Sequence, residues 1–163
     1  MSDAALVVLV LVVAVGAALR GAAWWSRRRA AARVPRDELV REARGVTLRV
    51  LVQGTRVFPG MSTRYANRTR GDLVLGRERF VLATNRGVLA DLAPGRGRAF
   101  TSVRCTGPGR LVIEGDAPGA RGERGLYRIE VTVADAAQWA AALRPFVREG
   151  EKGGPRFGSH RAD

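Results

Sequence analysis

Few side chains in this sequence have the chemistry of a reaction, and many have the chemistry of anion recognition. Arg64, Arg68, Arg70, Arg77 and Arg79 stand close together in the chain with Tyr65 among them. A guanidinium offers a planar fork of N–H donors that matches phosphate or carboxylate oxygens, so this cluster is a candidate surface for anionic lipid headgroups. At strand spacing Arg64 and Arg68 share a face. The plainer reading is an outward strand face whose Arg stems cover apolar surface while the charges stay in water.

Catalysis has little to draw on. A Ser or Cys nucleophile needs a base such as His beside it, and the only histidine, His160, stands near the end of the chain. One cysteine and one histidine lack the spacing of a metal site. Cys105 has no disulfide partner within the chain and reads as a small core residue of a strand. Gly95-Arg96-Gly97-Arg98 lacks the Lys-Ser/Thr of a phosphate loop and reads as a turn. Asn67-Arg68-Thr69 matches a glycosylation sequon that an inward-facing domain would not expose to the machinery. The carboxylates from Asp72 to Asp135 fall beside turns or on outward strand positions, where they balance charge. The sequence therefore predicts a protein that is not an enzyme and needs no cofactor or metal.

The elements that carry these residues are mostly strands. From Gly45 onward apolar residues recur with period two: Leu48, Val50 and Val52; Leu73 and Leu75; Phe80 and Leu82; Leu111 and Ile113; Tyr127, Ile129, Val131 and Val133. Such alternation marks half-buried antiparallel strands. Runs near 46–53, 61–69, 72–75, 79–84, 88–92, 100–105, 110–114 and 126–133 give seven or eight strands separated by Gly, Pro and Asn turns, the layout of a barrel or sandwich. A helix follows, with Asp135 and Gln138 spaced as a capping box and an apolar stripe of Trp139, Leu143, Phe146 and Val147. Pro145 should kink or end it. The Gly-rich, charged residues 148–163 are expected to be disordered.

Ahead of the domain lies an apolar run from Ala4 to Leu19, extended through Arg20 to Trp24 and Trp25 and closed by Arg27, Arg28 and Arg29. Roughly 22 helical residues at about 1.5 Å each reach ~33 Å, enough for a ~30 Å hydrocarbon layer. Arg20 can snorkel, Trp24 and Trp25 sit where an aromatic belt falls, and the Arg cluster belongs on the cytoplasmic side. The alternative is a cleaved secretory signal; against it, the residues before the apolar run carry no side-chain cation and the cluster comes after it. The expected organisation is a transmembrane anchor at 1–25, a basic juxtamembrane linker at 26–44 with a marginal helix over residues 37–42, a β-rich domain at 45–147 and the tail. The N-terminus is expected outside an inner membrane and the domain at its cytoplasmic face.

The formal charge of +13 is uneven: residues 1–44 contribute +4, residues 45–147 contribute +8 and the tail +1. The domain's own excess would draw it to an anionic leaflet. Nucleic acid ranks last as a partner, because two tyrosines and no recognition helix leave stacking and groove reading without their parts.

The segment Gly71-Asp72-Leu73-Val74-Leu75-Gly76-Arg77-Glu78-Arg79-Phe80-Val81-Leu82 resembles the central hairpin of bacterial pleckstrin-homology-like and GRAM-type domains, and Tyr127 to Val147 resembles their closing strand and helix. The whole layout is similar to a family of uncharacterised single-pass proteins from high-GC Gram-positive bacteria. That resemblance implies a mainly β fold: a partly open antiparallel barrel over 46–147, plugged by a C-terminal helix through Trp139, Leu143 and Phe146. The Lys/Arg spacing of phosphoinositide-binding members is missing, since only Arg49 and Arg56 stand near the first strand. The expected role is a membrane-anchored adaptor that engages anionic phospholipids or a membrane protein partner, the alternative being a tethered interaction subunit with no lipid specificity.

Overall fold

The computed structural model describes residues 3–53, 66–93, 100–118 and 124–148. A helix, α1 (Asp3–Ala31), leads into seven strands: β1 (Leu39–Gln53), β2 (Asn67–Gly76), β3 (Phe80–Thr84), β4 (Gly87–Leu92), β5 (Phe100–Cys105), β6 (Arg110–Pro118) and β7 (Arg124–Thr132). A short helix, α2 (Ala136–Ala142), and a 3-10 turn at Arg144–Phe146 close the described chain. The strands form one antiparallel sheet in the order β4-β3-β2-β1-β7-β6-β5.

That sheet curls into a half-barrel around a single core. The alternating residues do what their period demands: Leu48, Val50, Leu73, Leu82, Leu111, Ile113, Ile129 and Val131 are all buried. Phe80 of β3 and Phe100 of β5 lie far apart in strand order, yet their rings meet edge to face at 5.6 Å, and Phe146 approaches Phe80 at 6.1 Å. Only a strongly curled sheet brings those strands together. Trp139, Leu143 and Phe146 fill the open end and are buried, as their helical stripe predicts. The backbone completes the closure: the Arg148 N–H donates to the Phe100 carbonyl at 2.8 Å.

Several local expectations change. Residues 37–42 do not form a helix; from Leu39 they are the first part of β1, paired with Val74–Gly76 of β2. A helix this short has little stability of its own, so pairing with a strand already in place outweighs it. The expected linker at 26–44 is therefore mostly structured, with α1 running through the Arg cluster to Ala31 and β1 beginning at Leu39. The register of β1 shifts between Ala43 and Val46, where Gly45 adopts φ 63° and its N–H donates to Asp72 Oδ1 at 2.8 Å.

The runs near 61–69 and 72–75, read as separate strands, are joined through Gly71 in β2; residues 61–65 lie outside the described residues. Gly71 marks a close approach and not a turn, since a Cβ there would stand 2.6 Å from the Ala83 carbonyl oxygen and 2.6 Å from Leu48 Cδ1. The capping box does not form. Asp135 makes no side-chain cap hydrogen bond, and Gln138 instead accepts from Arg41. Pro145 ends the α-helical geometry by opening the 3-10 turn. Cys105, expected in the core, is exposed on the outermost strand, with its thiol directed at the Gly107 carbonyl oxygen at 3.2 Å.

A second, smaller apolar cluster lies on the outer face of the sheet. Val34, just past α1, is buried against Val74, Val81 and Ala83. All five residues of β3 are consequently buried. Thr84, the polar member, is satisfied: its hydroxyl donates to the Gly87 carbonyl and accepts from the Arg86 N–H, both at 3.1 Å. Within α1 the side chains from Ala5 to Ala18 are described without interruption and are exposed. Among the described residues no helix is long and apolar enough to cross a membrane.

Candidate functional site

Strand geometry divides the arginine cluster. Arg68 and Arg70 alternate along β2 with both side chains exposed, and Arg49 stands opposite Arg68 on β1. Arg77 is exposed in the turn at the other end of β2. At about 3.3 Å per residue, Arg68 and Arg77 are roughly 30 Å apart, so they cannot grip one headgroup. Arg64 lies outside the described residues. Arg79 is engaged elsewhere: its Nε and Nη2 donate to Asp91 at 2.7 and 2.9 Å.

The Asp91 carboxylate is the centre of a clasp. It also accepts from Arg33 Nη1 at 2.6 Å, which ties the segment after α1 to β4. The Arg79 hydrogen bond, reinforced by Arg33, holds the Asp91 pKa below its ordinary value despite partial burial, and the same bond raises that of Arg79. Beside the clasp, Val34 rests against Gly76, where an added Cβ would lie 2.7 Å from Val34 Cγ1. The Arg77 N–H donates to the Glu38 carbonyl at 3.1 Å. Apolar wedge, ion clasp and backbone bond together fix the end of α1 to the sheet. None of this follows from periodicity; the one available signal was Asp91 itself, a charge inside the apolar run Val88-Leu89-Ala90-Asp91-Leu92.

This docking leaves an open groove of ≈ 1070 Å³ beside the junction. Trp25, Arg28, Arg29 and Ala32 line it from α1, and Glu42, Arg44, Asp72 and Val74 line it from the sheet. Val34, Arg36 and Leu39 complete the lining near the turn that joins the two. The Arg29 guanidinium stacks on the Trp25 ring at 3.6 Å from its centroid. Arg44 donates to Glu42 at 2.5 Å, and this bond raises the Arg44 pKa. Of the residues expected to flank the anchor, Trp25, Arg28 and Arg29 are thus brought together on one wall. The side chains of Arg20, Trp24 and Arg27 lie outside the described residues.

Other carboxylates of the sheet are also held in ion pairs. Glu114 pairs with Arg104 at 3.0 Å, Glu130 lies between Arg128 at 3.2 Å and Arg49 at 3.6 Å, and Asp116 meets Arg148 at 3.6 Å. Arg41 faces Asp135 at 3.6 Å and stands 5.7 Å from the Trp139 ring centroid. Among the described residues no three His, Cys, Asp or Glu gather as a metal site would require. His160 and residues 95–98, expected as a turn, lie outside them. Compared with known protein families and with curated proteins, the chain matches none.

Proposed function

We propose that this chain is a non-catalytic adaptor anchored in the inner membrane by its N-terminal helix. In this reading the N-terminus is outside, and a pleckstrin-homology-like domain at the cytoplasmic face engages anionic lipid headgroups. The observation that carries the reading is the exposure of Leu6 to Val13 and Val15, every one of which leaves 50–64% of its surface uncovered. A helix apolar on all sides is stable when something apolar surrounds it, and a bilayer is the surrounding that also suits the Trp25, Arg28 and Arg29 that follow. The order of seven antiparallel strands and a closing helix with buried Trp139 supports the pleckstrin-homology-like assignment.

The test is fractionation of cells making the full chain with a C-terminal tag. The protein should stay in the membrane pellet through alkaline carbonate, and protease added to intact cells should leave the tag uncut. Recovery in the soluble fraction without its first two dozen residues would refute the anchor, and tag cleavage on intact cells would reverse the orientation.

The outer edge of β4 favours a second reading, a tethered interaction module. Among the described residues no strand pairs with that edge, and Val88 on it is 37% exposed. An extended peptide could add there by backbone hydrogen bonding. Crosslinking in native membranes that traps a protein at Val88 would support this reading over the lipid one.

A further inference from the structure

We infer that the groove between the end of α1 and the β1–β2 face is a binding site for the phosphate of an anionic glycerophospholipid. This moves headgroup recognition away from the exposed arginines of β2 and rests on the membrane-anchored reading above. The charge arithmetic of the groove favours an anion: Arg28, Arg29, Arg36 and Arg44 face two carboxylates, Glu42 and Asp72. Those carboxylates already have donors, Glu42 from Arg44 and Asp72 from the Gly45 N–H. Arg29 and Arg36 meet no carboxylate among the described residues, so they carry the surplus.

Stacking prepares Arg29 for this role. Its guanidinium carbon stands 3.6 Å over the Trp25 ring centroid, a contact distance that suits face-on stacking and would leave the in-plane N–H groups to grip two phosphate oxygens at once. A side chain already held against a ring loses less freedom on binding than a free one. Arg36 follows the helix across the same opening.

A lipid fits this groove better than a soluble phosphate ester. Trp25 is 53% exposed and Leu39 is 41% exposed, so apolar surface stands beside the cations where a glycerol backbone would lie. The wall that carries Arg29 also continues directly into the apolar part of α1. A headgroup held there would have its acyl chains beside the anchor. The groove, at ≈ 1070 Å³, is at least as large as the about 300–1,000 Å³ of ordinary small-ligand pockets.

The test uses the full chain reconstituted in nanodiscs of phosphatidylcholine with a minority of phosphatidylglycerol. Extraction into mild detergent follows, and native mass spectrometry counts the lipid retained. The wild type should keep phosphatidylglycerol in preference to phosphatidylcholine. R29Q/R36Q should reduce that retention by about tenfold or more, the loss expected for two charge-assisted contacts, and R68Q/R70Q should leave it unchanged. Added inorganic phosphate should not displace the lipid.

Full retention in R29Q/R36Q would overturn the proposal. Loss in R68Q/R70Q alone would also overturn it, while leaving the membrane-anchored lipid-binding reading intact. Displacement by inorganic phosphate would overturn the lipid as occupant in favour of a soluble phosphate compound. Failure of the wild type to enter the discs would overturn the anchor reading and this inference with it. Arg29 and Arg36 are both exposed, so thermal melts of the variants should superimpose on the wild type. Should the double variant melt early, R36Q alone, outside the helix, carries the test.

Discussion

Replacing Val34 with Ala isolates the docking of α1 from the stability of the half-barrel. Val34 is 5% exposed and touches the outer face of the sheet, where Val74, Val81 and Ala83 form a cluster separate from the main core. The substitution removes the equivalent of two buried methylenes at about 0.8 kcal/mol each, so the docked state should lose roughly 1.6 kcal/mol. The main core does not use this side chain, so the loss should appear as local opening and not as global unfolding.

Converted at 1.36 kcal/mol per decade, it amounts to about a fifteenfold rise in the opening equilibrium of the junction. Hydrogen exchange reads this directly at the Arg77 N–H, bonded to Glu38, and the Glu38 N–H, bonded to Pro35. Both should exchange about an order of magnitude faster in V34A, while amides of β6 and β7 keep their wild-type rates. Uniform acceleration across the sheet would show that the junction and barrel unfold as one unit. Unchanged exchange at Arg77 would show that the wedge contributes nothing. Either result refutes the argument.

Two other predictions follow from the geometry. Gly71→Ala should lower stability by about 2–3 kcal/mol or more, because the new methyl meets a backbone oxygen that cannot rotate away as well as Leu48; a melt that matches the wild type would contradict the close approach. For Asp91, whose carboxylate is held below its ordinary pKa chiefly by Arg79, the clasp contributes stability that is complete above the unfolded carboxylate pKa of about 4. That contribution disappears as pH falls through the lower folded value. Acid denaturation monitored at the junction should therefore weaken below pH ~4 in the wild type and lose this component in D91N, an effect of about 1 kcal/mol given the partly exposed partners; identical acid profiles would dismiss the clasp.

The half-barrel was legible because its interior is specified by local alternation. Leu48, Val50 and Val52, or Tyr127, Ile129 and Val131, need only adjacent residues to declare which face they bury, and the stripe Trp139, Leu143, Phe146 declares the plug in the same way. Misreadings occurred where a distant partner decides. Residues 37–42 hold charges and weak helical spacing of their own, and only the β2 strand opposite makes them extended from Leu39 onward. Spacing alone predicts a cap at Asp135, but Arg41, distant in the chain, engages both Asp135 and Gln138, and the cap is unmade. Cys105 sits within a strand as a core residue would, yet that strand is the last of the order, and its side chain is exposed.

The candidate site was less legible for a related reason. Nearness in sequence suggested that Arg68 to Arg79 act together, but an extended strand carries neighbours apart at about 3.3 Å per residue while the sheet's curl and the helix's return bring strangers together. Arg33, Arg79 and Asp91 meet at one carboxylate, and Trp25, Arg36 and Asp72 line one groove, although no local pattern links them. What the sequence did expose was the supply of guanidinium groups and the apolar helix they follow. The fold then separates them by partner: Arg33 and Arg79 are committed to a carboxylate that fixes the helix, Arg44 neutralises Glu42, and Arg29 and Arg36 are left facing an opening beside an apolar rod. A clasp that consumes cations to set the angle of the helix also determines where the unspent ones point. Removing wedge and clasp together with V34A/D91N should therefore weaken phosphatidylglycerol retention even though neither change touches Arg29 or Arg36, and full retention in a double variant whose Arg77 amide exchanges as an open junction would mean that the arginines bind lipid without the groove.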